Sequence, residues 1–329
     1  MERIAPFTLA HPATLAEAAA LLRATPGARL LAGGTDLLPN LRDGLGKPRN
    51  LIDLGAITGF DRIAVTEQGT TIGAGVTLAR LVADVGIRHT LPALVEAASA
   101  VAAPAHRTVA TVGGNLCLDT RCVFYNQSEW WRRSNDYCLK HGGATCHVAP
   151  QGDHCHAAFA GDLAPALLVH DAEIEIAGPQ STRRIPLATL YADDGAKHLT
   201  LAPDEIVAAV HVPRQPPHAR AGYRKARVRG AIDFPLAGVA ARIVLRDGLV
   251  TGLSIALTGT NSRPLLLDGT AELAGGPVDD ELLGRIGKLV GKQASPMRTT
   301  VTHANYRRQV AAVLAQRLVH AIATEAPNR

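Results

Sequence analysis

The sequence predicts an α+β protein of two domains, with a foreign stretch set into the first. Three observations carry this. From Met1 to about Val101, short apolar runs alternate with Ala- and Leu-rich segments over short connections. From about Pro217 the pattern changes to a strand pair followed by two long helical segments. Between them, "CVFYNQSEWWRRSNDYCLKHGGATCHVAPQGDHC" (Cys122 to Cys155) breaks the apolar pattern and holds four of the five cysteines and both tryptophans.

In chain order, Thr14 and Glu17 of "ATLAEAAALL" form a capping box before the first helix. "ARLLAGGTDLLPN" is a short strand running into a glycine turn, and "NLIDLGAI" is a second strand. "GTTIGAGVTLARLVAD" reads as strand, turn and helix with Thr77 as N-cap, and "LPALVEAASAVA" as another helix. "HRTVATVGGNL" is a short β-branched run entering a second glycine turn. After the cysteine-bearing segment, "GDLAPALLVHDAEIEIAG" resumes the apolar pattern. "PRQPPHARAG" interrupts both periodicities and marks the linker, which divides the chain into residues 1–216 and 217–329. Beyond it, Asp247-Gly248 joins two apolar strands as a hairpin turn, and "DDELLGRIGKLVGKQ" and "HANYRRQVAAVLAQRLVHAIA" close the chain as helices.

The 329 residues are 47% hydrophobic and 19% charged, enough for two or three modest cores. No apolar run approaches the ~20 residues of a membrane span. "MERIAPFTLA" has no basic region before an apolar core, so a cytoplasmic location with reduced thiols is expected. The net charge of +5 is spread along the chain, with short groups in "WWRRS", "YRKARVR" and "YRRQ". A nucleic-acid binder would show a longer basic stripe with aromatic platforms, so neither nucleic acid nor membrane is an expected partner.

"AGGTDLLPN" and "TVGGN" are each weak signals alone. Paired glycines allow positive φ and let a ligand approach the amides, and two such turns could cradle the phosphates of a dinucleotide. They could equally be tight turns and no more. No G-x-G-x-x-G opens a helix and no P-loop is present, which argues against a nicotinamide Rossmann site. "LAGGTDLLPN", "TVGGNL", "GDLAPALL", "YRKARVRGAIDFPLAGVAA" and "HANYRRQVAAVL", in this order, resemble the FAD-binding medium subunits of the xanthine oxidase family. The resemblance implies a two-part FAD-binding domain of the vanillyl-alcohol-oxidase (PCMH-like) type, followed by an α+β C-terminal domain. It also implies that FAD is held by Ala32, Gly33, Gly34, Thr35, Asp36 and Leu37 and by Thr111, Gly113, Gly114 and Asn115. Asp162 matches a position near the flavin ring, and Lys225 a basic position before the C-terminal strands.

In that family the "GGN" turn is followed after about ten residues by "DLAPAL", whereas Asn115 and Asp162 here are 47 positions apart. An insertion of roughly 35 to 40 residues, within about 117–158, therefore stands beside the flavin, far longer than an ordinary loop. Four, fifteen, seven and eight residues separate successive cysteines from Cys117 to Cys155. Disulfides would need an oxidising compartment and leave one cysteine over. A structural zinc would favour paired C-x2-4-C knuckles, which are absent, although His141, His147, His154 and His156 could add nitrogen ligands. A [4Fe-4S] cluster tolerates irregular spacing. Half of the chain's twelve aromatic residues lie between Leu116 and Phe159, where they would pack around a metal centre that staples the loop.

The insertion resembles that of 4-hydroxybenzoyl-CoA reductase β subunits in "DTRC", "FYNQSEWWR", "YCLK" and the two later cysteines. This implies Cys122, Cys138, Cys146 and Cys155 as ligands of a [4Fe-4S] cluster, with Cys117 spare. It further implies an electron-transfer subunit, with no catalytic residue of its own, in a complex that reductively dehydroxylates 4-hydroxybenzoyl-CoA to benzoyl-CoA. Its partners would be a molybdopterin-binding large subunit, a [2Fe-2S] small subunit and a low-potential donor such as ferredoxin. Two alternatives stay open: the FAD subunit of a hydroxylating molybdenum dehydrogenase, and a flavoprotein with a structural zinc.

Overall fold

The structure, a computed structural model, describes residues 4–299 and 302–324. Three sheets organise the chain. In the first, β1 (Thr8–Ala10), β2 (Arg29–Leu31) and β3 (Asn50–Asp53) form a parallel sheet in the order β1-β3-β2. Parallel neighbours need crossovers, and the helices Leu15–Ala24 and Leu37–Arg42 supply them. The first helix is capped as its sequence predicts: Thr14 Oγ1 accepts from the Glu17 amide at 3.1 Å, and Glu17 Oε2 reaches back to the Ala13 amide at 2.7 Å.

The second sheet is antiparallel, in the order β4-β5-β8-β6-β7. Its strands are β4 (Ile63–Thr66), β5 (Gly69–Gly73), β6 (Glu173–Ala177), β7 (Thr182–Pro186) and β8 (Ile206–Pro213). Buried Ile72, Ile174, Ile176, Val210 and Val212 put its inner face into one core with the helices Leu78–Ala83, Pro92–Ala100 and Leu163–Leu168.

Past Pro213 the chain enters the third sheet, order β12-β11-β10-β9: β9 (Ala219–Ala226), β10 (Ala237–Arg246), β11 (Leu249–Thr258) and β12 (Leu265–Leu266). Asp247 and Gly248 both take positive φ, +52° and +78°, as a two-residue hairpin turn matched to strand twist requires. Alternation then sorts the faces. Val239, Ala241, Ile243, Leu253, Ile255 and Leu257 pack with the helices Asp280–Gln293 and Ala304–Thr324, whereas Tyr223, Ala240 and Ala256 join the core of the first domain. Among the described residues, no helix is long and apolar enough to cross a membrane.

Two local readings differ from the sequence. "LLPNLR" is helical, because Pro39 falls in its first turn, where no amide is needed. Val112–Leu116 is also a short helix, so the second glycine pair lies inside a helical turn and not in a loop.

Candidate functional site

The two glycine motifs lie back to back. A side chain on Gly33 would be driven into the Val109 carbonyl, two residues before Thr111. Only Gly34 of the four glycines takes positive φ, +69°. The expectation that both pairs serve left-handed backbone is thus corrected. Gly33 and Gly113 are there for close approach: a Cβ on Gly113 would stand 2.8 Å from the Ala74 Cβ.

The amides divide the motifs further. Among the described residues, those of Gly33, Gly34, Thr35 and Asp36 have no acceptor in the protein and can receive an anion. In the second motif the four amides from Val112 to Asn115 are already used. Val112 donates to Val76 O (2.9 Å), Gly113 to Ala74 O (2.8 Å), Gly114 to Thr111 Oγ1 (3.1 Å) and Asn115 to Thr111 O (2.9 Å). The second motif therefore mainly holds the frame, and among the described residues only its Thr111 amide has no acceptor.

Asn115 carries that frame onward, since its Oδ1 accepts from the Leu163 amide at 3.0 Å and ties the motif to the helix after Asp162. Asp162 and Lys225, far apart in sequence, form a buried ion pair at 2.9 Å. Tyr223, which the sequence did not single out, donates its hydroxyl to the other Asp162 oxygen at 2.5 Å. Burial pushes the Asp162 carboxyl up, against the pull of Lys225, and pushes the Tyr223 phenol well above its ordinary value.

Cys122, Cys138, Cys146 and Cys155 line one small cavity with Phe124, Tyr125, Lys140 and His147. Two of the sulfurs already accept backbone amides: Cys122 from Phe124 and Cys155 from Ala157, each at 3.4 Å. Burial raises the Cys122 thiol and takes Cys155 to about 12, and neighbouring cysteines add to both shifts. Ligation by a cation would offset that cost. Among the described residues, no three His, Cys, Asp or Glu side chains converge tightly enough for one metal ion. Tetrahedral zinc, with Zn–S near 2.3 Å, would need sulfurs within about 4 Å of one another. Four thiols on one cavity are the kind of donor set that a [4Fe-4S] cluster takes. Cys117 lies outside the cavity lining, against the first-domain core, and burial lifts its thiol to about 12.

The insertion is pinched at its root by the Arg121–Ala158 bridge, with both backbone hydrogen bonds at 2.8 Å. Polar staples hold it as well. Arg132 is 1% exposed; it donates to Gly44 O at 3.2 Å and Tyr125 O at 3.3 Å, and also to Gln127 O. Lys140 ties the loop to Asp119 at 2.7 Å and to Thr120 O at 2.9 Å. Trp131 packs on Phe124 as expected, but the expectation of packing fails for Trp130, which is 68% exposed because it faces outward from its short helix. Arg121 pairs with Asp36 of the first glycine motif. The sequence signal for both arginines was only a basic residue in a polar segment.

Residues 5–215 match the family described as the FAD binding domain in molybdopterin dehydrogenase, and residues 221–322 match the CO dehydrogenase flavoprotein C-terminal domain. The chain is 35% identical over 281 residues to the aldehyde oxidoreductase FAD-binding subunit PaoB of Escherichia coli (strain K12), covering 82% of this chain and 86% of that protein. It is 28% identical over 310 residues to the putative xanthine dehydrogenase FAD-binding subunit XdhB of the same strain, covering 93% and 92%. The fold matches a chain of reconstituted CO dehydrogenase from Oligotropha carboxidovorans with a TM-score of 0.81 at 23% identity, covering 99% of this chain and all of that one.

Proposed function

Since the chain belongs to the family of FAD-binding domains of molybdopterin dehydrogenases, we propose that it is the electron-transfer subunit of a hydroxylating molybdenum dehydrogenase, with a [4Fe-4S] cluster added beside the flavin. FAD is the family's cofactor. FAD exchanges electrons in pairs or singly, and the cluster exchanges them singly. In this reading the free amides from Gly33 to Asp36 receive the pyrophosphate, and Thr111, Gly113, Gly114 and Asn115 hold that turn in place. The buried Asp162–Lys225 pair lies beside the flavin ring. Cys122, Cys138, Cys146 and Cys155 ligate the cluster. The observation that carries the cluster is their convergence on one cavity. The partners are a molybdopterin-binding large subunit and a [2Fe-2S] small subunit, and the relatives named as FAD-binding subunits support such a complex.

An iron, sulfide and flavin count on the anaerobically purified chain tests this. The expected ratio is four irons and four sulfides per FAD; zinc in place of iron, or no metal, would overturn the cluster. The relative named as an aldehyde oxidoreductase subunit favours oxidation of aldehyde-type substrates. A second reading rests on the insertion, whose motifs resemble those of 4-hydroxybenzoyl-CoA reductase: electrons delivered by ferredoxin to dehydroxylate a hydroxybenzoyl thioester. Assaying the purified complex with aldehydes and with the thioester separates the two.

A further inference from the structure

Two arginines of the insertion bracket the short helix that follows the first glycine motif. At its start, the Arg121 guanidinium pairs with Asp36. At its end, Arg132 donates to Asp43 O at 3.4 Å and Gly44 O at 3.2 Å. Arg121 is held in place from three directions. Its backbone bridges Ala158 at the root of the insertion, its guanidinium lies 4.5 Å from the centre of the Phe234 ring, and the next residue is Cys122. Its Nε is buried and has no acceptor among the described residues.

Asp36 poses an electrostatic problem. Asp36 ends the run of free amides, and its carboxylate, which Arg121 and Asn40 contact, adds negative charge to the motif that would receive a pyrophosphate. Like charges at such range, partly shielded from water, repel strongly. An opposite charge is needed, and the insertion supplies it.

We propose that Arg121 makes the insertion a working part of the FAD site. By neutralising Asp36 it couples FAD binding to the ordering of the insertion around its cluster, so that each cofactor strengthens the binding of the other. This rests on the FAD and cluster assignments proposed above. Coupling of this kind is reciprocal, so it reads from either side. It would keep chains that lack the cluster from holding flavin, and would so order the assembly of the subunit.

The test is FAD titration of the deflavinated full chain, followed by flavin fluorescence, before and after removal of iron by chelation. In the unmodified chain, iron removal should weaken FAD at least tenfold. Arg121→Ala, with iron retained, should weaken it to a similar degree, and iron removal should then add little. Asp36→Asn removes the charge that needs compensating, so it should make FAD affinity insensitive to iron and restore affinity in the Arg121→Ala background. Because Asp36→Asn keeps the shape of the side chain, it serves even if Arg121→Ala folds poorly. An iron-replete chain whose FAD affinity ignores both substitutions overturns the inference and leaves the cluster standing. A chain that binds FAD but never holds iron overturns the cluster assignment, and the coupling with it.

Discussion

The two glycine motifs look alike in sequence and do different work. The first, at Gly33-Gly34, is open, with one left-handed residue and a run of amides that no protein group uses. The second, at Gly113-Gly114, is closed inside a helical turn with the amides from Val112 to Asn115 satisfied. The lesson is that a glycine pair reports tight space before it reports a ligand. One motif presents polar groups outward, and the other is the strut that keeps it in place.

The most damaging way to probe this contrast is Gly33→Val. The obstacle is the Val109 backbone, which cannot step aside as a side chain can. A loss of roughly 3 kcal/mol or more is expected, with flavin lost and little folded protein recovered. A Gly33→Val chain with unchanged melting and full FAD would show that the motifs do not meet.

Arg132→Met comes next. It would strand the carbonyls of Gly44 and Gln127, now served by one buried guanidinium, at about 3 kcal/mol. Denaturant unfolding should show the loss. Limited proteolysis should then cut within the insertion while the glycine motifs stay protected.

Acid probes the strut. His170 follows the helix that Asn115 caps, and burial lowers its imidazole to about 4. Its native state prefers the neutral ring, so its share of stability is complete above the ordinary value of 6.5 and is lost as pH falls from there toward 4. About 2 kcal/mol should be gone by pH 5. His170→Asn should flatten that slope in urea melts, and an unchanged slope would exclude His170 as its source.

Two smaller substitutions separate the motifs most cleanly. Gly34→Ala puts a side chain on a left-handed residue, at a cost of about 1–2 kcal/mol. Thr111→Val removes the cap on the Gly114 amide, at about 1 kcal/mol. FAD affinity should fall with Gly34→Ala beyond what stability explains, and should merely follow stability with Thr111→Val. Equal flavin losses at equal stability would erase the distinction drawn between open and closed motifs.

Much of this protein is written locally. The Thr14–Glu17 cap, the Thr77 cap, the Asp247-Gly248 hairpin and the two closing helices each follow from side chains within a few positions, and all are present. Short-range chemistry fixes them whatever lies opposite. The unusual composition between Cys122 and Cys155 likewise announced a separate chemical unit. Gly113 was legible as a glycine, but its reason was not, because Ala74 lies on another element. Tyr223 was passed over because nothing near it in sequence marks its phenol as a partner of Asp162.

By itself, the sequence determined the capped helices, the C-terminal hairpin and where the cysteines are concentrated, since periodicity, caps and turn residues act over a few positions. Only the tertiary structure decided which amides stay free, that the four cysteines share a cavity, and that Arg121 meets Asp36 across 85 positions of chain. Those outcomes depend on packing between elements that are distant in sequence. Burial then turns an ordinary arginine or carboxylate into a group that must have a partner.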